Sequence, residues 1–252
     1  MWKLKVLGPL EIRYDGRPCL LTAPKMREVF ALLLLHPNET VSMSAIIREV
    51  WDENVPSSAV TTIQTYVYHL RKRLRQTAPH DDSCQLLTQH PGYTLRIPGA
   101  SLDLTEFTQL VARGQTESEQ GRYADAVEHL RQALRLWRGP ALDDVSKGHP
   151  LETDVARLDE DRIRATELLV AAEMQLGRHR EIVPQLQTLV SSYPWNEWFH
   201  EQLITALHRS SRRGDALRAY QNARRILDEE LGLDPSPQLE RLQLEVLAGS
   251  AG

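Results

Sequence analysis

The residues of this chain best suited to chemistry lie between Ser57 and Gln76, in the stretch SSAVTTIQTYVYHLRKRLRQ. At about 100° per residue, Val60, Ile63, Val67, Leu70 and Leu74 gather on one helix face, the expected core face. Thr61, Thr65, Tyr68, His69 and Lys72 fall on the opposite side, flanked by Thr62, Arg73 and, nearer the apolar seam, Arg71 and Arg75. Hydroxyls and cations on one exposed face make and break no bonds. They suit charge neutralisation and hydrogen bonding in a nucleic-acid groove, where cations reach phosphates and a few side chains reach base edges. The centre of the face, Thr61, Thr65, His69 and Lys72, is where base reading is expected, since a Thr methyl can meet a thymine methyl and a Lys can donate to guanine. Tyr66, Tyr68, Arg71 and Arg75 lie nearer the flanks, towards phosphates, and Arg73 suits either role. The same residues also describe a solvated helix whose last-turn cations complement its dipole.

The elements around this helix shift that balance. Leu86-Leu87-Thr88, then Gln89-His90-Pro91-Gly92, then Tyr93 to Ile97 read as strand, turn and strand, and a helix followed by a hairpin is a winged helix-turn-helix pattern. Upstream, Leu4–Leu7, Leu10–Tyr14 and Leu20–Thr22 read as short strands, and Pro24 opens an apolar helix running to His36-Pro37-Asn38. Ser42 is placed to cap the next helix, and Ser57 or Ser58 the one after it. This order, with Ala23-Pro24-Lys25, Tyr66-Val67, Leu70-Arg71-Lys72 and Pro91-Gly92-Tyr93, resembles the DNA-binding domain of the OmpR-type transcription factors over roughly residues 3 to 98. The resemblance implies a cation at the wing tip, directed at the minor groove. Here Gln89 and His90 stand in that region; Gln89 is neutral and His90 is charged only when protonated.

With 252 residues, 41% of them hydrophobic and 25% charged, the chain suits two soluble domains, each with its own core. No apolar run resembles a membrane span or a signal peptide, so a cytoplasmic protein without a membrane partner is expected. Cys19 and Cys84 have no metal-ligand spacing and read as reduced packing residues. Residues 1–100 carry 12 Lys+Arg against 9 Asp+Glu, whereas the remainder carries 18 against 25, so the net charge of −4 is divided by domain. The sequence has no Walker-type glycine loop, no dinucleotide fingerprint and no paired-histidine zinc motif, and a non-enzyme without catalytic residues, cofactor or metal is expected. His200 and His208 read as surface or packing histidines, and the acidic runs Asp159–Asp161 and Asp228–Glu230 as solvated faces. Trp195 and Trp198, beside Pro194, suit packing between repeats ahead of a groove for a partner peptide.

Pro98-Gly99-Ala100 marks a boundary between domains at residues 1–98 and 99–252. Beyond it, amphipathic helices are predicted at Leu104–Glu119, Ala124–Trp137, Leu151–Leu176, Glu181–Tyr193, Glu197–Arg209, Gly214–Leu231 and Gln238–Leu247. The short turns Gly121-Arg122, Gly177-Arg178 and Arg213-Gly214 join several of them, which suggests a degenerate tetratricopeptide-like solenoid. The fold class is therefore mixed: an α+β winged helix-turn-helix followed by an all-α helical repeat. Leu134–Pro140, Tyr193-Pro194, Leu203–Leu207, Ala216–Tyr220 and Leu227–Ser236 resemble the bacterial transcriptional activation domain. The two domains in this order resemble the SARP family, the Streptomyces antibiotic regulatory proteins, in their short form without an attached ATPase domain. That resemblance implies a pathway-specific activator of secondary-metabolite (antibiotic) biosynthesis. It would bind direct repeats in double-stranded DNA near the promoter −35 region as a head-to-tail homodimer and recruit RNA polymerase holoenzyme. An interaction scaffold is the competing reading, but a scaffold gives no reason for the cations Arg71, Lys72, Arg73 and Arg75 on this helix.

Overall fold

A computed structural model describes residues 1–97 and 101–249. The Pro98-Gly99-Ala100 boundary lies outside the described residues. The chain forms two compact units, one of residues 1–112 with 131–165, the other of residues 113–130 with 166–252.

In the first unit, β1 (Trp2–Lys5) pairs antiparallel with β2 (Glu11–Tyr14), and β2 with β3 (Arg17–Pro18) across the Asp15-Gly16 turn. A short β7 (Ser101–Leu102) lies parallel to β1, pairing Lys3 with Ser101. The strand expected at Leu20–Thr22 does not form. After Cys19 donates to Ile12 O at 2.8 Å the chain leaves the sheet to reach the next helix, Leu21 alone turns inward, and Leu20 is 66% exposed. Three helices follow: α1 (Pro24–Leu35), α2 (Met43–Trp51) and α3 (Ala59–Thr77). Ser42 caps α2 as expected, accepting from Ala45 N at 3.1 Å. Ser58 holds the N-cap position of α3 but makes no side-chain cap bond; its carbonyl instead accepts from Thr62 N and Oγ1.

The core face of α3 is Ala59, Ile63, Val67, Leu70 and Leu74, all buried. Val60, expected among them, is 46% exposed. It sits at the edge of the apolar arc in the first turn, and Ala59, on the other edge, is the residue covered.

A second sheet, ordered β4-β6-β5, forms the wing from β4 (Thr40–Ser42), β5 (Gln85–Gln89) and β6 (Gly92–Arg96). Sequence reading misses β4 because three residues are too short for a strand-period pattern. Cys19 and Cys84 are free and buried, and burial pushes the Cys84 thiol up to about 12, which leaves it inert at neutral pH.

The segment Val6–Leu10, between β1 and β2, forms no ladder bonds, so its backbone groups need other partners. Asp103, at the start of α4 (Asp103–Glu119), accepts from Val6 N at 2.8 Å and Leu7 N at 3.1 Å. Asp144 accepts from Leu10 N at 2.7 Å. The carbonyls of Leu7, Val6 and Gly8 accept from Arg138 N and Leu142 N at 2.8–3.1 Å. Gly8, at φ +141°, lies so close to Arg138 that an added Cβ would sit 2.9 Å from the Arg138 Cβ. Residues 131–165 are thus fastened to the winged fold rather than to the repeats, and they include the end of α5 (Tyr123–Arg135) and the start of α6 (His149–Gln175). Two more contacts hold that start. Buried Glu49 accepts from Gly148 N at 2.7 Å and Leu151 N at 2.9 Å, satisfying N–H groups of the first turn of α6. His36 Nε2 pairs with Asp154 at 2.8 Å.

The second unit stacks α7 (His179–Ser192), α8 (Glu197–Arg209), α9 (Arg213–Ile226), a π-helical turn at Leu227–Leu231 and α10 (Pro237–Ala248). Its core includes Val170, Ile182, Leu186, Ile204, Leu207, Tyr220 and Leu239. The same turn recurs three times: Arg122 N bonds Glu117 O, Arg178 N bonds Glu173 O and Arg212 N bonds Leu207 O, at 2.8–3.2 Å. Each is the closing bond of a Schellman cap, with Gly121, Gly177 or Ser211 at positive φ. Gly177 and Ser211 stand 34 residues apart, the tetratricopeptide period. His200 is a packing residue, 2% exposed, its Nε2 bonded to Pro194 O at 2.9 Å. Trp198 packs edge-on to Phe199, whereas Trp195 is 59% exposed, its indole N–H donating to Glu230 at 2.8 Å, and so is not the packing residue the sequence suggests.

The hydrogen bond that His36 Nε2–H donates to the Asp154 carboxylate raises the His36 pKa above its ordinary 6.5. A histidine bound more tightly to its proton in the folded state adds stability that is complete below pH 6.5 and is lost as pH rises through the raised value. Urea denaturation at a series of pH values is expected to show unfolding free energy falling across that window, and His36→Ala to flatten the slope there.

Candidate nucleic-acid interface

Helix α3 presents one broad solvent-facing surface. Thr61, Thr65, Tyr68, His69, Lys72, Arg73 and Arg75 are all exposed, while Thr62 and Tyr66 are half-buried, Tyr66 against the core. The Thr62 and Thr65 hydroxyls donate back to Ser58 O and Thr61 O at 3.0 and 2.9 Å. With their protons engaged inside the helix, these side chains offer a methyl group and an acceptor lone pair, which suits thymine methyls and base amino groups. The Tyr68 and His69 rings meet edge to face at 5.3 Å, so each limits the rotation of the other. Lys72, Arg73 and Arg75 have no ion-pair partner among the described residues. His69, Lys72, Arg73 and Gln76 line one side of a cleft whose other side is the segment from Leu20 to Met26.

Arg71 is differently placed. Its Nε donates to Leu86 O and its Nη2 to Thr88 Oγ1, both at 2.8 Å, and its guanidinium lies 5.9 Å from the centre of the Tyr93 ring. All three contacts are with the wing, so the side chain expected at a phosphate braces β5 and β6 against α3. The signal was faint in sequence. Arg71 lies nearer the apolar seam than the other cations, but only the fold puts a carbonyl there.

The wing tip is the two-residue loop His90-Pro91 between the paired residues Gln89 and Gly92, and the His90–Pro91 peptide is cis. Gln89 and His90 are both exposed. Gln89 Oε1 accepts from Thr94 Oγ1 at 3.1 Å, and the Thr94 hydroxyl meets that of Thr40 at 2.9 Å, which ties Gln89 back into the sheet. Gly92 is required by close packing: a Cβ there would lie 1.9 Å from Val41 O. Sequence reading missed two exposed residues at the N-terminal end of α3, Val60 and Gln64. Gln64 lies between Val60 and the predicted reading face and was legible from its helical angle alone. Val60 was not, since an apolar residue at the edge of an apolar arc reads as core.

The family model described as "Bacterial transcriptional activator domain" matches residues 102–247, and that described as "Transcriptional regulatory protein, C terminal" matches residues 16–95. Regulatory protein DnrI of Streptomyces peucetius is 36% identical over 254 residues, covering 99% of this chain and 93% of its own length. The chain belongs to the SARP family of transcriptional regulators. Transcriptional regulatory protein EmbR of Mycobacterium tuberculosis is 38% identical over 242 residues, covering 96% of this SARP chain but 62% of EmbR. A solved structure, "Mycobacterium tuberculosis EmbR in complex with low affinity phosphopeptide", superimposes with a TM-score of 0.92 at 36% identity, over 100% of this chain and 66% of that one. This likeness agrees with a winged domain followed by a helical one. Among the described residues no helix is long and apolar enough to cross a membrane.

Because the β4–β6 contact leaves no room for a side chain, Gly92→Ala is expected to part these strands and cost about 1–3 kcal/mol. Amide hydrogen exchange would show protection lost at Val41 and Tyr93, with α1 still protected. Unchanged protection in the wing would contradict the packing described.

Proposed function

We propose that this SARP-family regulator is a sequence-specific, double-stranded-DNA-binding activator in which α3 enters the major groove and the wing follows the flanking backbone. The observation that carries this reading is the set of exposed cations Lys72, Arg73 and Arg75, without ion-pair partners among the described residues, on the same broad helix surface as Thr61, Thr65 and His69, with the hairpin fixed beside it. Thr61, Thr65, His69 and Lys72 face the base edges; Thr62, Tyr66, Tyr68, Arg73 and Arg75 serve the backbone; Gln89 and His90 lie at the flanking groove. Arg71 acts as a positioning residue, setting the wing angle rather than neutralising a phosphate. With Gln89 and His90 at the wing tip, the wing adds little electrostatic affinity at neutral pH, and most of the salt dependence rests on α3.

The winged domain spans residues 1–98 and the activation domain residues 99–252. The family further supports binding to direct repeats near the −35 region, contact with RNA polymerase holoenzyme, and pathway-specific control of secondary-metabolite (antibiotic) genes in the cytoplasm. Direct repeats place protomers head to tail, since a two-fold pair favours a palindrome. Repeats spaced by about 10 bp put both copies on one face of the DNA.

The test is selection of genomic fragments on the purified chain at two salt concentrations, followed by sequencing. Enrichment of a direct repeat upstream of promoters is expected, and an inverted repeat bound by a symmetric dimer would sink the head-to-tail arrangement. On the selected site, Lys72→Ala is expected to lose about 1–3 kcal/mol of specific binding and relax sequence preference at one position. Arg71→Ala is expected to weaken binding while leaving the slope of log affinity against log salt unchanged. A lost phosphate contact would instead flatten that slope by about 0.9.

A further inference from the structure

In the second unit, a groove of about 650 Å³ runs between α7 and α9, with α8 beneath it. Leu203 and Leu207 of α8 form its floor, and Val190 of α7 and Ile226 of α9 its apolar sides. The rim is charged with one sign in excess. Arg212, Arg218 and Arg225 line it, against a single carboxylate, Asp215.

Asp215 is already shared. Arg212 Nε donates to its Oδ2 at 2.7 Å and Arg218 Nη2 to its Oδ1, and these two hydrogen bonds hold its carboxyl below the usual range. One carboxylate between two guanidinium groups leaves a positive charge in surplus. Arg225 reaches Glu229, outside the groove, at 2.6 Å, but both side chains are more than half exposed. Exposed pairs of this kind hold by about 0–1 kcal/mol, so an incoming carboxylate can take the place of Glu229. Arg218 is the most open of the three, its side chain 78% exposed.

We infer that this groove is a docking site for an acidic peptide segment of a protein partner, which inserts one or two apolar side chains over Leu203 and Leu207 while its carboxylates engage Arg212, Arg218 and Arg225. The volume lies within the range of about 300–1,000 Å³ typical of ligand sites. The chemistry selects the occupant: the arginines call for carboxylates and the floor for aliphatic or aromatic groups, a combination that amphipathic acidic segments supply. A phosphate backbone would satisfy the rim but leave the floor bare. The site is separate from the predicted DNA-reading residues and needs none of them.

The experiment begins with random 12-residue peptides displayed on phage and selected on the full chain. The strongest binder is then synthesised with a fluorescent label and titrated by anisotropy. Asp or Glu flanking Leu, Ile or Phe is the expected consensus, with affinity falling as salt rises. Arg218→Glu with Arg225→Glu is expected to weaken the labelled peptide at least about tenfold and to remove most of its salt dependence. Arg225→Gln, a milder change on the exposed surface, should weaken it in the same direction. Ala219→Trp, which fills the groove from α9, should weaken binding while keeping the salt dependence, with thermal melts confirming that each variant is folded. The proposal is overturned if no acidic-apolar consensus emerges, if folded charge-reversal variants bind equally well, or if a short DNA duplex displaces the peptide from the wild-type chain and not from the variants.

Discussion

Backbone groups that no ladder reaches govern the first unit. Val6 to Leu10 is a buried detour between two strands, and its N–H and C=O groups must find partners or cost the fold about 1–3 kcal/mol apiece. The partners are supplied from far along the chain, by Asp103 and Asp144 as acceptors and by Arg138 and Leu142 as donors. Burial pushes the Asp103 carboxyl up from its usual range, opposed by the two N–H groups it accepts from and by the nearby Arg138. A buried carboxylate in that position is stable because its oxygens are occupied, and the same constraint explains Glu49 over the first turn of α6. Residues 131–165 therefore pack with the winged fold, although the family model of the activation domain includes them.

The arginines and lysines of the chain divide by what they touch. The Arg138 guanidinium bonds the Pro9 carbonyl beside the Glu11 and Asp103 carboxylates, and that of Arg71 engages the Leu86 carbonyl, the Thr88 hydroxyl and the Tyr93 ring, each holding one segment against another. Lys72, Arg73 and Arg75 remain exposed on α3, in a helix whose other face is buried in the core. A helix so anchored fixes the backbone from which these three side chains extend into solvent. The bracing of the hairpin by Arg71 extends that order to the wing, so that helix and wing form one surface.

Much of this was legible from residue type and spacing. The alternation of cations, hydroxyls and apolar residues in α3 marked both of its faces, and the Pro24 and Ser42 signals marked where α1 and α2 begin. The glycine turns at Gly121 and Gly177 marked the repeats, whereas the turn expected at Arg213-Gly214 falls earlier, with Ser211 in the cap conformation and Gly214 already inside α9. What failed did so at edges: Val60 at the margin of an apolar arc, Leu20–Thr22 in a crossing segment, and β4 in three residues. Local pattern at such places is shared by several structures.

The sequence alone determined the order of the helices and the wing hairpin, the solvent-facing side of α3 and the family, because these depend on periodicity, turn chemistry and motif order along a continuous stretch. Only the tertiary structure decided that Arg71 braces the wing, that Gly92 is a packing glycine, and that residues 131–165 join the first unit. Each of these depends on a partner that pattern does not specify: the Leu86 carbonyl, the Val41 carbonyl, and the N–H groups of Val6, Leu7 and Leu10 that no sheet ladder reaches. Backbone groups carry no side-chain signature, so the bonds they require become visible only once the chain is folded.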